Sequence, residues 1–241
     1  MGPQGLKLWD GAVLLAELMA GPPEALTEHH PRLRGAPWAW EGARVLELGC
    51  GLALCSMVAA WLGAEAIATD GESGIVTVAR QNGAINCPQA PPGGATAPGG
   101  QLGGAGGSGR GGQEGLLPGG GSFRAAVLRW GEAGGLARAG LGAAPGGQLD
   151  RPLDVVCLSD VVYGSDPAVY DSLVATLAAV CGPGTLVLQA ETPRREGVLY
   201  GAYWEALAGA GFAWAPLAAG GAVARRLGLA GGPAAHVIWR A

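Results

Sequence analysis

The stretch from residue 43 to residue 70 most constrains the fold, because an apolar run there meets a tight glycine turn and a helix-like segment. Arg44–Leu48 predicts a short buried strand, and Gly49-Cys50-Gly51 predicts a turn that lets the backbone approach a ligand closely. Residues 52–63 predict a helix that stops at a glycine, and a second predicted strand then ends at Asp70. This order is typical of the first half of a nucleotide-binding α/β unit.

The rest of the chain alternates between predicted strands and predicted helices. The further predicted strands are Arg124–Trp130, Leu153–Ser159, Thr185–Ala190, Phe212–Pro216 and Ala235–Arg240, and the further helices are Leu6–Ala20, Glu72–Asn86, Pro167–Val180 and Glu196–Gly211. The last two strands resemble a hairpin joined by a long Gly/Ala turn. Continuously apolar strands between helices indicate a mostly parallel sheet that is covered on both faces. We therefore expect an α/β fold with a C-terminal antiparallel hairpin.

Glycine and proline are concentrated in one part of the chain. The sequence has 46 glycines and 17 prolines, and the excess falls mainly between residues 88 and 147. Segment 88–122 has almost no large apolar side chain, so it cannot offset the entropy of ordering itself. We predict flexible insertions at 88–122 and 131–151 within a single domain that spans residues 1–241, since this length suits one α/β domain.

Charge and hydropathy exclude several classes of function. A net charge of −4 and a pI near 5.4 argue against a nucleic-acid surface, which would carry clustered Lys and Arg. No apolar run reaches the roughly 18 residues of a membrane span, and no secretory signal is evident. We expect a small-molecule or protein partner and a monomer.

The five cysteines show no CxxC spacing and lie in predicted strands, helices or their ends. This pattern favours buried thiols over disulfides, and neither the cysteines nor the His pair at 29–30 indicates a metal site. A reducing compartment follows, so we expect a cytoplasmic protein, with the nucleus and the organelle matrix left open. The cysteines are Cys50, Cys55, Cys87, Cys157 and Cys181.

Two classes of ligand compete for the glycine turn. A dinucleotide fingerprint needs a third glycine three residues after the second, and Leu54 stands there. The sequence has instead E-L-G-C-G-L-A, with Glu47 two residues before the first glycine and Ala53 at its end. This stretch resembles motif I of the seven-strand S-adenosylmethionine-dependent methyltransferases, with Ala in place of the last glycine. The turn would then lie against the amino-acid part of the cofactor, and Asp70 would accept both ribose hydroxyls.

Five short motifs in order carry a closer resemblance: Leu8-Trp9, V-L-E-L-G-C-G-L, T-D-G at 69–71, L-R-W-G at 128–131 and S-D-V-V-Y at 159–163. Together they resemble the methyltransferase-16 family, the lysine methyltransferase-like branch of that class. The resemblance implies a Rossmann-like seven-stranded sheet, S-adenosyl-L-methionine as cofactor and a protein substrate. The cofactor-binding residues that it implies are Trp9, Glu47, Gly49, Cys50, Gly51, Asp70, Trp130 and Ser159.

The S-D-V-V-Y motif places Asp160 and Tyr163 at the carboxyl end of a strand, where open α/β sheets bind ligands. An acid and an aromatic ring there suit a cationic lysine beside a sulfonium cofactor, so we assign them the catalytic, acceptor-side role. The alternative is that Asp160 caps a helix and Tyr163 fills space. The expected activity is protein-lysine N-methylation. A small-molecule or protein-histidine methyltransferase and a non-catalytic cofactor-binding protein stay open.

Overall fold

The computed structural model describes residues 4–87, 117, 119–142, 149–193, 200–229 and 232–241. Its strands are β1 Arg44–Leu48, β2 Glu65–Asp70, β3 Ser122–Val127, β4 Val155–Ser159, β5 Leu186–Glu191, β6 Phe212–Pro216 and β7 Ala234–Arg240. Its helices are α1 Asp10–Met19, α2 Glu24–Thr27, α3 Leu54–Trp61, α4 Ser73–Asn86, α5 Gly135–Arg138, α6 Pro167–Val180, α7 Tyr200–Gly209 and α8 Ala218–Arg226.

All seven strands form one sheet in the order β3-β2-β1-β4-β5-β7-β6. The first five are parallel, and β7 runs antiparallel to both β5 and β6. The predicted mostly parallel sheet with an antiparallel C-terminal pair is therefore confirmed. The chain order reverses beside β1, which lies between β2 and β4, and such a switch point opens a crevice at the carboxyl ends of the strands.

Both faces of the sheet are covered, which explains why the central strands read as continuous apolar runs. Every residue of β1 and of β5 is buried. One apolar cluster joins the sheet to α1, α3, α4 and α8, and a second joins its other face to α5, α6 and α7. Burial of each large aliphatic side chain contributes roughly 1.5–3 kcal/mol, so the two layers fix the sheet between them.

The N-terminal helix is shorter than predicted. Residues 4–6 form a separate 3-10 turn, and α1 begins at Asp10, because the backbone of Trp9 is extended with φ −96° and ψ 153°. Segment 6–20 is therefore an approach to the sheet followed by a helix. The structure also adds α2 and α8 to the predicted elements, the latter within the predicted Gly/Ala turn.

Only parts of the two predicted insertions lie within the described residues. Most of 88–122 lies outside them, and so does 143–148. In the described part of the second insertion most residues are exposed and a few contact the rest of the domain, and its flexibility stays a prediction. Residues 135–138 form α5, Leu141 is fully buried, and the Arg124 guanidinium donates to the carbonyl oxygens of Ala139 and Gly140 at 2.7 and 2.9 Å.

Among the helices that the structure describes, none combines the length and the hydropathy that a bilayer crossing requires.

Candidate functional site

A cleft of about 740 Å³ opens at the switch point of the sheet. This volume lies within the roughly 300–1,000 Å³ of small-molecule sites. Its walls are the segment before α1, the ends of β1 to β4 and the first turns of α4 and α6. The predicted site residues that line it are Trp9, Gly49, Cys50, Gly51, Asp70, Trp130, Ser159, Asp160 and Tyr163.

The glycine turn has no room for side chains. Gly49 has φ +69°, and a Cβ atom there would lie 2.8 Å from Val161 Cγ1 and 3.2 Å from Trp130 Cζ2. Gly51 has φ +50°, and its Cβ would lie 3.2 Å from the carbonyl oxygen of Gly5. Both positions favour glycine by backbone conformation and by space. The backbone of the turn thus lines the cleft, and other segments of the chain pack closely against both glycines.

Ala53 is the position at which the turn departs from the motif. It has φ +64° and ψ 33°, it is fully buried, and it immediately precedes α3. The left-handed conformation costs a non-glycine residue roughly 1–2 kcal/mol. The motif's glycine would relieve this strain, whereas the alanine methyl is packed in the core. Alanine therefore keeps the backbone path of the turn at a local energetic cost.

Asp70 ties the turn to the end of β2. Its Oδ2 accepts a hydrogen bond from the Gly51 amide at 3.3 Å, and its Oδ1 accepts one from the Glu72 amide at 3.0 Å. A carboxylate offers about four acceptor positions, so two remain for a ligand such as a ribose diol. The carboxylate is half-buried and lines the cleft.

Glu47 lies elsewhere than the sequence predicted. It does not line the cleft, and it is 1% exposed on the α3 side of β1. Its Oε2 accepts hydrogen bonds from the amide and the hydroxyl of Ser56 at 2.9 and 2.6 Å. Burial raises the pKa of Glu47 to about 7, against the lowering effect of those bonds. Glu47 therefore does not face the cleft. It lies beneath the turn, where its hydrogen bonds hold α3 to β1.

The aromatic residues lie on opposite walls of the cleft. Trp9 precedes α1, and the Lys7 ammonium lies 4.0 Å from the centroid of its ring. Trp130 follows β3, and its indole edge faces Gly49. The next residue, Gly131, donates its amide to Thr176 Oγ1 at 2.9 Å, which anchors this loop to α6. Ser159 ends β4 between the two walls.

Asp160 is engaged by the protein itself. Its Oδ1 accepts from the Thr192 amide at 2.7 Å, and its Oδ2 accepts from the Gly11 amide at 2.8 Å and the Thr192 hydroxyl at 3.1 Å. The side chain is 5% exposed and the residue has φ +54°. Asp160 thus caps α1 from a distance of 149 residues in sequence. This agrees with the capping alternative, although the helix is α1 and not α6, and the catalytic assignment of Asp160, which also lines the cleft, stays a prediction.

Tyr163 lies at the mouth of the cleft and is 44% exposed. Leu8 and Val169, also at the mouth, are 47% and 40% exposed. These three exposed residues of the lining are apolar or aromatic, and we call them the rim of the cleft. Lys7, Glu72 and Arg129, which also line the cleft, are exposed charged residues.

The thiols near the turn do not supply a nucleophile. Burial raises the pKa values of Cys50, Cys55 and Cys157 well above the ordinary range, and the nearby Glu47 carboxylate acts in the same direction. The nucleophilic form of cysteine is the thiolate, so these side chains stay protonated at neutral pH. Within the described ranges, no three His, Cys, Asp or Glu side chains are grouped as metal ligands.

Sequence analysis did not identify several residues that line the cleft: Lys7, Glu72, Arg129 and Ser172. Arg129 directly precedes the predicted Trp130, and Lys7 lies two residues before the predicted Trp9, so both could have been found from their place in the sequence. Ser172 is a polar residue of α6, and the periodicity of a helix predicts only which apolar residues face the core. Its approach to the cleft depends on how α6 packs against the sheet.

The fold matches known structures. Magnesium protoporphyrin IX methyltransferase from Synechocystis PCC 6803 with bound SAM aligns at TM-score 0.51 and 14% identity, over 96% of this chain and 80% of that one. The chain has the Rossmann-like methyltransferase fold. The 16S rRNA N2 methyltransferase of T. thermophilus, in complex with AdoMet and guanosine, aligns at TM-score 0.52 and 14% identity, over 97% of this chain and 43% of that one.

No protein-family model matches the sequence, and no curated protein is similar enough to count as a relative. At 14% identity, the two solved structures establish the methyltransferase fold alone.

Proposed function

We propose that the protein is an S-adenosylmethionine-dependent methyltransferase. The observation that carries this proposal is the glycine turn of the methyltransferase fold bonded to a half-buried carboxylate, Asp70, at the switch point of the sheet. The turn offers close backbone approach to an amino acid, and Asp70 offers free acceptor positions to a ribose. The two solved structures with SAM or AdoMet bound share the fold, which supports the same cofactor here.

The residues present fit this cofactor. Gly49, Cys50 and Gly51 form a cradle that any Cβ at the two glycines would fill, and the thiol between them is uncharged. Trp130 gives an apolar flat surface for a base. We assign Trp9 and Ser159 to the remaining walls. Glu47 contributes by holding the start of α3 below the cradle.

The cofactor supplies an activated methyl group on a sulfonium, so the protein needs no nucleophile of its own. Its task is to orient the acceptor in line with that methyl group and to exclude water around it. An amine acceptor must be neutral when it attacks, and its proton can leave to solvent at the open mouth. Asp160 acts here through position, because it fixes α1 and with it Trp9 against the end of β4.

We further propose that the acceptor is a lysine of a protein substrate. The resemblance of five ordered motifs supports this, and the exposed Tyr163 ring can face an alkylammonium group. The apolar rim at Leu8 and Val169 can cover the aliphatic stem of such a side chain. The same rim also suits an apolar small molecule, which is the second candidate acceptor.

Calorimetry with S-adenosylmethionine and S-adenosylhomocysteine tests the cofactor first. We expect micromolar binding by the full chain. Asp70→Ala should abolish measurable binding, because the variant loses both the ribose acceptor and the bond that orients Gly51. Binding by Asp70→Ala as tight as that of wild type would contradict the proposed geometry.

Transfer of labelled methyl groups then tests the acceptor. The enzyme is incubated with labelled cofactor and separate protein and small-molecule fractions of a cell extract, and mass spectrometry maps the modified atom. Label on lysine supports the proposal, and label on histidine or on a small molecule supports the alternatives. Cofactor binding without labelled product in any fraction indicates a non-catalytic binding protein.

A further inference from the structure

A chain of buried polar side chains runs beneath the turn that carries Tyr163. Tyr203 of α7 donates its hydroxyl to Gln189 Oε1 at 2.6 Å, and Gln189 Nε2 donates to Glu191 Oε1 at 3.1 Å. The amide of Val162 donates to the same oxygen of Glu191 at 3.3 Å. One end of this chain therefore binds the residue that precedes Tyr163.

The other end reaches the residue that follows Tyr163. The rings of Tyr203 and Tyr170 meet edge to face, with centroids 6.1 Å apart and planes at 66°. Tyr170 donates its hydroxyl to the carbonyl oxygen of Gly164 at 2.6 Å. The polar chain and this ring contact thus connect the amide of Val162 with the carbonyl oxygen of Gly164, the two residues on either side of Tyr163.

Such a network has an energetic cost in the core. Tyr203 and Gln189 are fully buried, Tyr170 is 1% exposed and Glu191 is 6% exposed. Each of these polar groups loses hydration, and well-packed apolar side chains of similar size would avoid that cost. The hydrogen bonds of this network favour one conformation of the segment that they hold. The cost of burying these polar groups is therefore better explained if the network orients a backbone segment than if it only stabilises the fold.

The direction of the hydrogen bonds is consistent along the network. Burial and the Glu191 charge raise the pKa of Tyr203 well above its ordinary value, so its hydroxyl stays a donor. Tyr203 donates to Gln189, Gln189 donates to Glu191, and Val162 donates to Glu191 from the other side. Both donors share Glu191 Oε1, so a carboxamide oxygen in the same place could accept both bonds, whereas an apolar side chain could accept neither.

We infer that Glu191 and Tyr203 are positioning residues that hold Tyr163 in place at the mouth of the cleft. The assignment of Tyr163 to the methyl acceptor rests on the proposed function, whereas the effect of the buried network on the position of Tyr163 does not. The network holds the amide of Val162 and the carbonyl oxygen of Gly164, one peptide group beyond those of Tyr163 on each side, so it sets the direction of that ring through the backbone without touching substrate. Misplacement of a reacting group by about 1 Å can reduce a rate by up to about a hundredfold.

Fluorine NMR of the full chain labelled with 3-fluorotyrosine tests the coupling directly. The chain has four tyrosines, and Tyr163→Phe assigns the Tyr163 resonance. In Glu191→Met, which removes the shared acceptor, and in Tyr203→Phe we expect that resonance to shift by more than its line width or to broaden. Glu65→Met is the matched control, because Glu65 is an exposed carboxylate at the opposite end of β2.

S-adenosylhomocysteine binding and melting temperature accompany the spectra. We expect dissociation constants within about twofold of wild type, and kcat on the mapped acceptor lowered on the order of tenfold at saturating cofactor. An unshifted Tyr163 resonance in a folded Glu191→Met protein with a lowered melting temperature would overturn the inference and leave a purely structural network. If one of the two variants does not fold, the other decides alone. Absence of S-adenosylhomocysteine binding by wild type would contradict the proposed function and leave the spectral comparison interpretable.

Discussion

The two halves of the cleft are built differently. The half at the ends of β1 and β2 is held by hydrogen bonds within residues 49–70. The Gly51 amide donates to the Asp70 carboxylate, 19 residues away, and the Cys50 amide donates to the carbonyl oxygen of Thr69. The half at the ends of β4 and β5 is held by side chains from distant segments. Asp160 binds Gly11, 149 residues away, and Thr192, 32 residues away.

This difference shows where a short motif is informative. In the first half, the residues that make the site are also the residues that shape its backbone. In the second half, the acid of S-D-V-V-Y caps α1, and buried groups of β5 and α7 bind the segment that carries Tyr163. The predictions below test this division.

Gly49→Ala should have the largest effect. The added methyl group would lie 2.8 Å from Val161 and the residue would keep a left-handed φ, so cofactor affinity should fall by about a hundredfold or more. Calorimetry with S-adenosylhomocysteine measures the loss. Gly35→Ala is the control, since Gly35 has φ +73° with nothing within 4 Å of its Cβ, and it should bind normally. Equal binding by both variants would show that the cradle does not depend on space at Gly49.

Asp160→Ala should destabilise the protein by about 3 kcal/mol, because two buried amides and a hydroxyl lose a charged acceptor. Urea unfolding with equal m-values measures the change. The control is Asp166→Ala, which removes an exposed cap of α6 that accepts only from the Ala168 amide at 3.0 Å and should cost about 1 kcal/mol. If the two variants lose the same stability, Asp160 does not hold α1 as described.

Glu47 should make stability depend on pH. The folded pKa of about 7 lies above the ordinary value of 4.5, so the folded state binds the proton more tightly than the unfolded state. Stability should be greatest below about pH 4.5, decrease as the pH rises towards 7, and level off above it, with a total change on the order of 3 kcal/mol. Glu47→Gln should remove most of this slope between pH 5 and pH 8. An unchanged slope would place the titrating group elsewhere.

Ala53→Gly should have the smallest effect. The glycine relieves the left-handed strain of roughly 1 kcal/mol but removes a buried methyl group worth about 0.8 kcal/mol. We expect stability within about 0.5 kcal/mol of wild type and a cofactor dissociation constant within about twofold. A tenfold gain in affinity would show that alanine at this position displaces the turn.

Sequence patterns predicted the sheet and the turn well because both arise from local chemistry. Apolar runs predicted all five parallel strands, and the two glycines of residues 49–51 predicted the turn, where both have positive φ in the structure. Sequence patterns did not predict the burial of Leu141, because this residue lies in a glycine-rich stretch with few other apolar side chains. They also failed at Glu47, because the strand pattern shows that alternate residues face opposite sides but not which side faces the ligand.

By itself, the sequence determined the order of the strands and helices, the glycine turn and the acid at the end of β2. Each of these follows from backbone sterics or hydrophobic periodicity within about 30 residues. Only the tertiary structure decided that Glu47 lies beneath the turn, that Asp160 caps α1, and that Gln189, Glu191 and Tyr203 meet below Tyr163. Those roles depend on which buried groups share a hydrogen-bond partner, and packing of distant segments sets that choice.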